Sequence, residues 1–269
     1  VLDYSSPALR GANFADLSYN RQTSGGLQFG FQWPDGHFQT TLRYLGSEGE
    51  ALTEFSVAFD GMPEFLGKAD VAPNSFEVVS DGQTSKWTFT GISPEEATTN
   101  DGSVIIRKLS TRLDEFASSV RWLGAVRAAV PRVFELQPGA YPDIGPDGSG
   151  VAEAIRLSAA ANDGAADAVS KWLYKMCRCT LSFASSDEAI AFNRRFFPFN
   201  VITAQGEQIA VRDVGEGIAQ ALPVVMLCHQ ARLGQLGENP ILAFEQPELH
   251  LHPSASVHLA DEIISCISK

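Results

Sequence analysis

The sequence predicts an α/β protein with an antiparallel β part first and a mainly helical part second. Two segments near the start, 27–33 and 38–44, alternate apolar and other residues, as half-buried strands do. Later, Val169, Trp172, Leu173 and Met176 fall at helical spacing. Near the end, four apolar residues run without alternation from Ile241 to Phe244, which is typical of a strand buried on both faces in a parallel sheet.

Length and composition restrict the possible classes of protein. The chain has 269 residues, enough for one large domain or a two-lobed one, and we expect a β-rich part at 1–118 and a helical part at 119–269. A net charge of −12 argues against a broad nucleic-acid surface. No apolar run approaches the roughly 20 residues of a membrane span. The four cysteines, Cys177, Cys179, Cys228 and Cys266, are expected to be reduced thiols of a cytoplasmic protein.

The β-rich part contains a predicted hairpin and three further strands. The residues 34–37, Pro-Asp-Gly-His, form a turn between the first two alternating segments. Similar alternation recurs at 55–59, 76–79 and 87–89. This pattern predicts an antiparallel meander whose aromatic side chains form a core rather than a surface for stacking bases.

A locally basic stretch follows at residues 104–135. Leu113, Phe116, Val120 and Leu123 predict an amphipathic helix within it. The favoured interpretation of its cations is a solvated helix face, and the alternative is a patch for phosphate or an acidic partner surface. The cations are Arg107, Lys108, Arg112, Arg121, Arg127 and Arg132.

The helical part begins after a Pro-, Gly- and Asp-rich loop at 138–150. We expect two helices after that loop, and then a hairpin from two strands at 199–204 and 209–211. A turn with two glycines, Gly215 and Gly217, opens the next predicted helix. Ile218, Leu222, Val225, Met226 and His229 would share one face of that helix, and Pro223 would kink it or mark a later start. Bare amides at such a helix start favour an anion.

The stretch from Pro240 to Pro253 carries the most specific chemistry. Glu245 follows the apolar strand, at the carboxyl end where α/β folds bind ligands, and Pro247 ends the strand. A carboxylate at this place is costly unless it meets a cation, and Mg²⁺ carrying a nucleotide phosphate would supply one. Pro253 is suited to open a helix whose apolar stripe is Val257, Ala260, Ile264 and Ile267.

Two segments resemble a known family of ATPases. Residues 245–253, Glu-Gln-Pro-Glu-Leu-His-Leu-His-Pro, look like the Walker B segment of SMC-like ABC-type ATPase heads, including the overcoming-lysogenization-defect type and bacterial phage-defence ATPases. Residues 213–223 resemble the family signature Asp-Val-Gly-x-Gly-x-Ser-Gln-x-Leu-Pro, except that Ala219 stands in place of the serine. Arg127 and Pro131 loosely match an Arg-Pro segment of the family.

The resemblance implies an ABC-type ATPase head with an antiparallel β lobe, a helical signature lobe and a parallel Walker B core strand. No Walker A phosphate-binding loop occurs in these residues, and we expect it ahead of Val1, with the switch histidine beyond Lys269. Layout agrees over nearly the whole chain, whereas specific motifs cover only residues 213–253.

The resemblance also implies roles for individual residues. Glu245 would hold Mg²⁺. Catalytic roles would fall to Glu248, Gln246 and His252, where Gln246 replaces the usual glutamate that polarises water; an equal alternative for His252 is a plain helix-entry residue. The residues implied in binding ATP are Asp213, Gly215, Glu216, Gly217 and Gln220.

The expected function is that of a cytoplasmic, Mg²⁺-dependent ATPase. Either Glu248 activates the attacking water in place of the usual glutamate at position 246, or turnover is slow and ATP acts mainly as a clamp. Two heads would close head to tail around two ATP molecules and control an effector such as a nuclease in phage defence or DNA maintenance, with possible DNA contact and no membrane. One alternative is a degenerate scaffold that only assembles partners. Another is a metallohydrolase that uses His250, His252 and a carboxylate.

Overall fold

A computed structural model describes residues 12–22, 25–46, 49–69, 74–80, 82–135, 143–183, 189–191 and 194–267. The first part of the predicted loop at 138–150, residues 138–142, lies outside them. The chain divides into two compact units, Val1–Ser118 and Ser119–Lys269. Strands in antiparallel sheets, one parallel strand pair and several helices make it a mixed α/β structure, consistent with an ATPase-like fold.

The first unit consists of two antiparallel sheets and a long helix. One sheet has the order β1-β2-β3-β4 and the other β5-β6-β7, so the predicted antiparallel meander is confirmed. Its elements are the helix α1 (Phe14–Leu17), a 3₁₀ turn (Tyr19–Arg21), the strands β1 (Leu27–Trp33), β2 (Gly36–Tyr44), β3 (Glu50–Phe59), β4 (Phe65–Lys68), β5 (Ser75–Ser80), β6 (Gln83–Thr90) and β7 (Ser93–Ala97), and the helix α2 (Asn100–Ser119).

The turn between β1 and β2 holds two of the cations of the basic stretch. Asp35 lies 2.8 Å from Lys108 Nζ and 3.1 Å from Arg112 Nη2, both on α2. The hydrogen bond from Lys108, together with Arg112, lowers the pKa of the Asp35 carboxyl despite its desolvation. These two side chains therefore hold the β1–β2 turn to α2, a role that neither the solvated-face nor the phosphate-patch interpretation includes.

The core of the first unit is aromatic. The Phe55 ring is 4% exposed, and its centroid lies 5.0 Å from that of Phe76, 5.3 Å from that of Trp87 and 4.8 Å from that of Phe89. Offset and edge-to-face rings at such distances contribute beyond their burial. The prediction that these aromatics form a core is confirmed.

We expect Phe55→Ala to lower the free energy of unfolding by about 3–5 kcal/mol, because it leaves a cavity among three rings. Leu66→Ala is the control, since Leu66 lies on the adjacent strand and is 63% exposed; it should change the free energy by less than about 0.5 kcal/mol. Urea unfolding followed by tryptophan fluorescence measures both. Equal shifts in the two variants would contradict this account of the core.

The second unit contains three small sheets and five helices among its described residues. The sheets are the parallel pair β8-β15 and the antiparallel sheets β11-β12-β9 and β10-β13-β14. Its elements are β8 (Val120–Leu123), β9 (Val133–Glu135), α3 (Val151–Ala161), α4 (Ala165–Cys177), β10 (Thr180–Ser182), β11 (Ala189–Ala191), β12 (Arg194–Pro198), β13 (Asn200–Ile202), β14 (Gln208–Ala210), α5 (Val211–Val214), α6 (Glu216–Arg232), β15 (Ile241–Phe244) and α7 (Pro253–Ile267).

Several sequence predictions for this unit are confirmed. The two helices after the loop are α3 and α4, and Val169, Trp172 and Leu173 are buried in the core. The predicted hairpin is the antiparallel pair β13-β14, and the last helix begins at Pro253. The four cysteines are free thiols.

The helix α6 is the centre of the second unit. We predicted one buried face, but the helix is buried on all sides from Ala219 to Gln230. A helix that is apolar all round belongs inside a core, where neighbours cover every face. Pro223 lies inside α6 and does not mark a later start, since the helix begins at Glu216.

Three further predictions are wrong. Val120 and Leu123 lie on β8 rather than on the amphipathic helix, because the parallel pairing with β15 overrides helical spacing. The strand β15 is not buried on both faces, since Ile241 is 46% exposed. The predicted apolar stripe of α7 faces outward: Val257 is 61% and Ile267 75% exposed, while Leu259 makes the buried contact.

Candidate functional site

The parallel pair β8-β15 places Glu245 at the carboxyl ends of two strands. Phe244 pairs with Leu123, and the Glu245 amide continues the ladder by donating to the Leu123 carbonyl at 2.9 Å. Glu245 is half-buried there. This is the place that the sequence predicts for it, at the edge where α/β folds bind ligands.

A buried arginine lies against this strand end. Arg127 follows β8, is 6% exposed, and donates from Nη2 to the main-chain carbonyl of Glu245 at 2.9 Å. Its Nε and Nη1 have no hydrogen-bond partner among the described residues. Burial lowers the pKa of this guanidinium, and the negative charge of Glu248 acts in the opposite direction. The acidic strand end and the arginine therefore depend on each other electrostatically.

The turn after β15 presents the predicted catalytic residues. The Leu249 amide donates to the Gln246 carbonyl at 3.1 Å, and the Leu251 amide donates to the Glu248 carbonyl at 2.9 Å. Gln246 and His250 have positive φ angles of 41° and 65°, which are uncommon for residues other than glycine. Gln246, Glu248 and His250 are exposed. The turn therefore offers an amide and a carboxylate to solvent from a tightly bonded backbone.

His252 caps α7. Its Nδ1 accepts the Ser254 amide at 3.3 Å and lies 2.9 Å from the Ser254 hydroxyl. Because Nδ1 acts as the acceptor for an amide, the proton of the neutral ring lies on Nε2, which is the only other ring nitrogen. These contacts with Ser254 agree with the interpretation of His252 as a helix-entry residue. Its predicted catalytic role stays a prediction.

The glycine turn lies at the start of α6. Gly215 is the residue before the helix, with φ 149° and ψ 138°, and a side chain at this position would meet no atom within 4 Å. Within the part of the chain that the structure describes, no side chain forms a capping hydrogen bond at this helix start. The first amides of α6 are thus available on an open side, at the end where the helix dipole favours negative charge.

Gly217 joins the glycine turn to the turn after β15. It is buried, and a Cβ built on it would lie 2.2 Å from the His250 carbonyl oxygen and 3.0 Å from the Leu251 amide nitrogen. Only glycine allows two backbones to approach so closely. The two motifs, about 30 residues apart in the sequence, therefore meet in one protomer, and the residue assigned to ligand contact also has a packing function that the sequence did not reveal.

The other predicted nucleotide-binding residues have partners within the chain. Asp213 accepts two hydrogen bonds from Arg132, one of them 2.7 Å from Nη2 to Oδ1. Gln220 is buried, and its Nε2 donates to the Glu216 Oε1 at 3.1 Å. Both Asp213 and Arg132 are partly exposed, so this pair is a weak surface ion pair. Asp213 and Glu216 face solvent.

The donor set suits Mg²⁺ bound together with phosphate better than a metal held by protein alone. Among the described residues, no group of three or more histidine, cysteine, aspartate or glutamate side chains is placed to hold a metal. The alternative of a metallohydrolase with His250 and His252 thus lacks a third ligand there. Mg²⁺ commonly takes one or two carboxylates and completes its shell with water and substrate phosphates, so Glu245 fits that chemistry.

The comparisons with known proteins agree with this class of site. Residues 156–269 match the family model of an AAA ATPase domain. The match covers both the glycine turn and the Glu245 stretch, and it supports an ATPase of the AAA or ABC type, a family that suggests ATP binding and hydrolysis. None of the curated proteins compared with the chain matches it. None of the helices in the described residues combines the length and apolar character that a membrane crossing requires.

We expect Gly217→Ala to lower the free energy of unfolding by about 1–3 kcal/mol, because the new methyl group meets the His250 carbonyl and forces two backbones apart. The higher helix propensity of alanine offsets only part of this. Gly30→Ala is the control, since the nearest atom to its Cβ would be 3.9 Å away. Urea unfolding measures both, and wild-type stability in Gly217→Ala would rule out the close contact.

Proposed function

We propose that this chain is part of an ATP-binding and ATP-hydrolysing head that closes with a second copy around Mg²⁺ and ATP. The observation that carries the proposal is the contact between Gly217 and His250, which groups an uncapped helix start and an acid-bearing strand end on one protomer. The family match over residues 156–269 supports the coarser function of an ATPase.

Glu245 is the residue that would hold Mg²⁺, through water, and the ion would supply charge neutralisation for the transferring phosphate. Arg127 would keep the Glu245 backbone in place through the bond to its carbonyl oxygen.

The glycine turn would bind the γ-phosphate of a nucleotide held by the second copy. Gly215 and Glu216 provide the accessible part of this helix start, because Gly217 and Gln220 are buried. Gly217 and Gln220 would then position the helix start without touching the nucleotide. Gly217 would do so by packing on His250, and Gln220 by its hydrogen bond to Glu216. Asp213 would exchange Arg132 for a group of the nucleotide or of the partner.

Water activation would fall to the turn after β15. Gln246 can orient a water molecule, but its amide does not accept a proton at neutral pH. Glu248 is exposed on the same turn and is the nearest carboxylate in sequence after Glu245, so we assign the proton to it. His252 would contribute from its Nε2–H, since Nδ1 is engaged with Ser254.

The resemblance to SMC-like ATPase heads also suggests what the activity controls in the cell. We propose that the closed pair controls an effector such as a nuclease, in phage defence or DNA maintenance, in the cytoplasm. The free thiols of the chain accord with a reducing compartment.

The second candidate function is a scaffold that assembles partners without hydrolysis. Gln246 favours it, because the usual proton acceptor is absent from that position. Ala219 does not add to the case for a scaffold: its side chain is 4% exposed, so a hydroxyl there would face the core rather than a second copy.

ATP hydrolysis by the whole gene product distinguishes the two functions. We expect Glu245→Gln to lower kcat by at least about 100-fold, because an amide holds Mg²⁺ more weakly than a carboxylate. Glu248→Gln should lower kcat by about 100-fold if it accepts the proton. Gln246→Glu should raise kcat, since it adds an acceptor on the same turn. The measurement is phosphate release at saturating ATP.

The matched control is Glu238→Gln, which removes an exposed carboxylate from the loop before β15 and should keep wild-type kcat. Phosphate release that is unchanged in Glu245→Gln would reject the proposed metal site. Tight ATP binding without any release, in the wild type and in Gln246→Glu alike, would establish the scaffold instead.

A further inference from the structure

A pocket lies among α4, α6 and α7, near the carboxyl end of α6. It has a volume of about 360 Å³ and is partly open to solvent. Small-molecule sites in proteins begin at about 300 Å³. His229, which lines it, is twelve residues from Gly217, or roughly 18 Å along a helix, so the pocket is separate from the glycine turn.

The walls of this pocket carry an excess of positive charge. Lys171 and Lys175 come from α4, and Arg232 comes from the end of α6. Glu262 on α7 is the one carboxylate in the lining, so two positive charges are in excess. On a chain with a net charge of −12, such a local reversal of sign concentrates anions where the rest of the surface repels them.

Two buried ring nitrogens in this lining lack hydrogen-bond partners. Trp172 is 1% exposed and His229 is 7% exposed. Neither Trp172 Nε1 nor His229 Nε2 has a hydrogen-bond partner among the described residues, although Glu262 Oε2 lies 3.5 Å from the histidine nitrogen. Buried donors without acceptors are rare in proteins, and both rings belong to the wall of this pocket.

The electrostatics at His229 agree with this geometry. Burial lowers the pKa of the imidazole, and the charges of Arg232 and Lys175 lower it further, while Glu262 opposes them. The lining cations are thus close enough to His229 to repel its charged form. A ligand with negative charge would offset that repulsion.

We propose that this pocket binds a small phosphomonoester. The two excess positive charges match the charge of −1.5 to −2 that a phosphomonoester carries near pH 7. The lysines Lys171 and Lys175, together with Arg232, would bind phosphate oxygens. Leu233 and Ala168 offer an apolar side for the organic part.

The test is a titration of the whole chain with inorganic phosphate, with glucose 6-phosphate and with glucose, followed by NMR of the His229 ring. We expect saturable shifts with both phosphates, tighter for the sugar phosphate, and none with glucose. Phosphate should also raise the pKa of His229, because a bound dianion stabilises the imidazolium. Saturation by either phosphate supports the proposal.

Charge-removing variants separate this pocket from general anion effects. Lys171 and Lys175 are exposed, so the double variant Lys171→Gln, Lys175→Gln should fold normally and bind at least about tenfold more weakly. The matched control, Lys68→Gln with Lys86→Gln, removes two exposed lysines from the first unit and should bind as the wild type does.

Three results would overturn the proposal. They are the absence of a saturable His229 shift at tens of millimolar phosphate, equal weakening in the two double variants, and equal shifts with glucose alone. None of these would affect the ATPase proposal, because Glu245 and Gly215 lie outside this lining.

Discussion

The approach of two backbones at Gly217 and His250 is the constraint on which the candidate site depends. The first turn of α6 touches the turn between β15 and α7, so the position of one determines the position of the other. The helix α6 is itself fixed in position by the core, because neighbours surround it for most of its length. A rigid core helix thus carries an open helix start at one end and the basic pocket at the other.

Charge balance at the strand end is the second condition. The buried Arg127 donates to the main-chain carbonyl of Glu245, and the charge of Glu248 acts on its guanidinium. Arg127 in turn is buried with one hydrogen bond and two unpaired nitrogens, so it gains from the nearby negative charge.

The two candidate functions differ in what they require of the turn after β15. A hydrolase needs a proton acceptor beside Gln246, whereas a scaffold needs only binding energy. The positive φ angles at Gln246 and His250 hold the turn in an uncommon conformation, and such backbone strain is concentrated at functional positions in proteins. The strain therefore favours a site over a plain connection, without deciding between hydrolysis and clamping.

The sequence by itself determined the local elements whose patterns are strong. Alternation located the β meander, an unbroken apolar run located β15 with Glu245 at its end, and Pro253 marked the start of α7. Spacing failed where tertiary pairing decided: Val120–Leu123 became a strand beside β15, and the stripe from Val257 to Ile267 faced outward. Only the tertiary structure brought Arg127 to Glu245, Arg132 to Asp213 and Gly217 to His250, because contacts between residues far apart in the chain leave no local pattern from which to infer them.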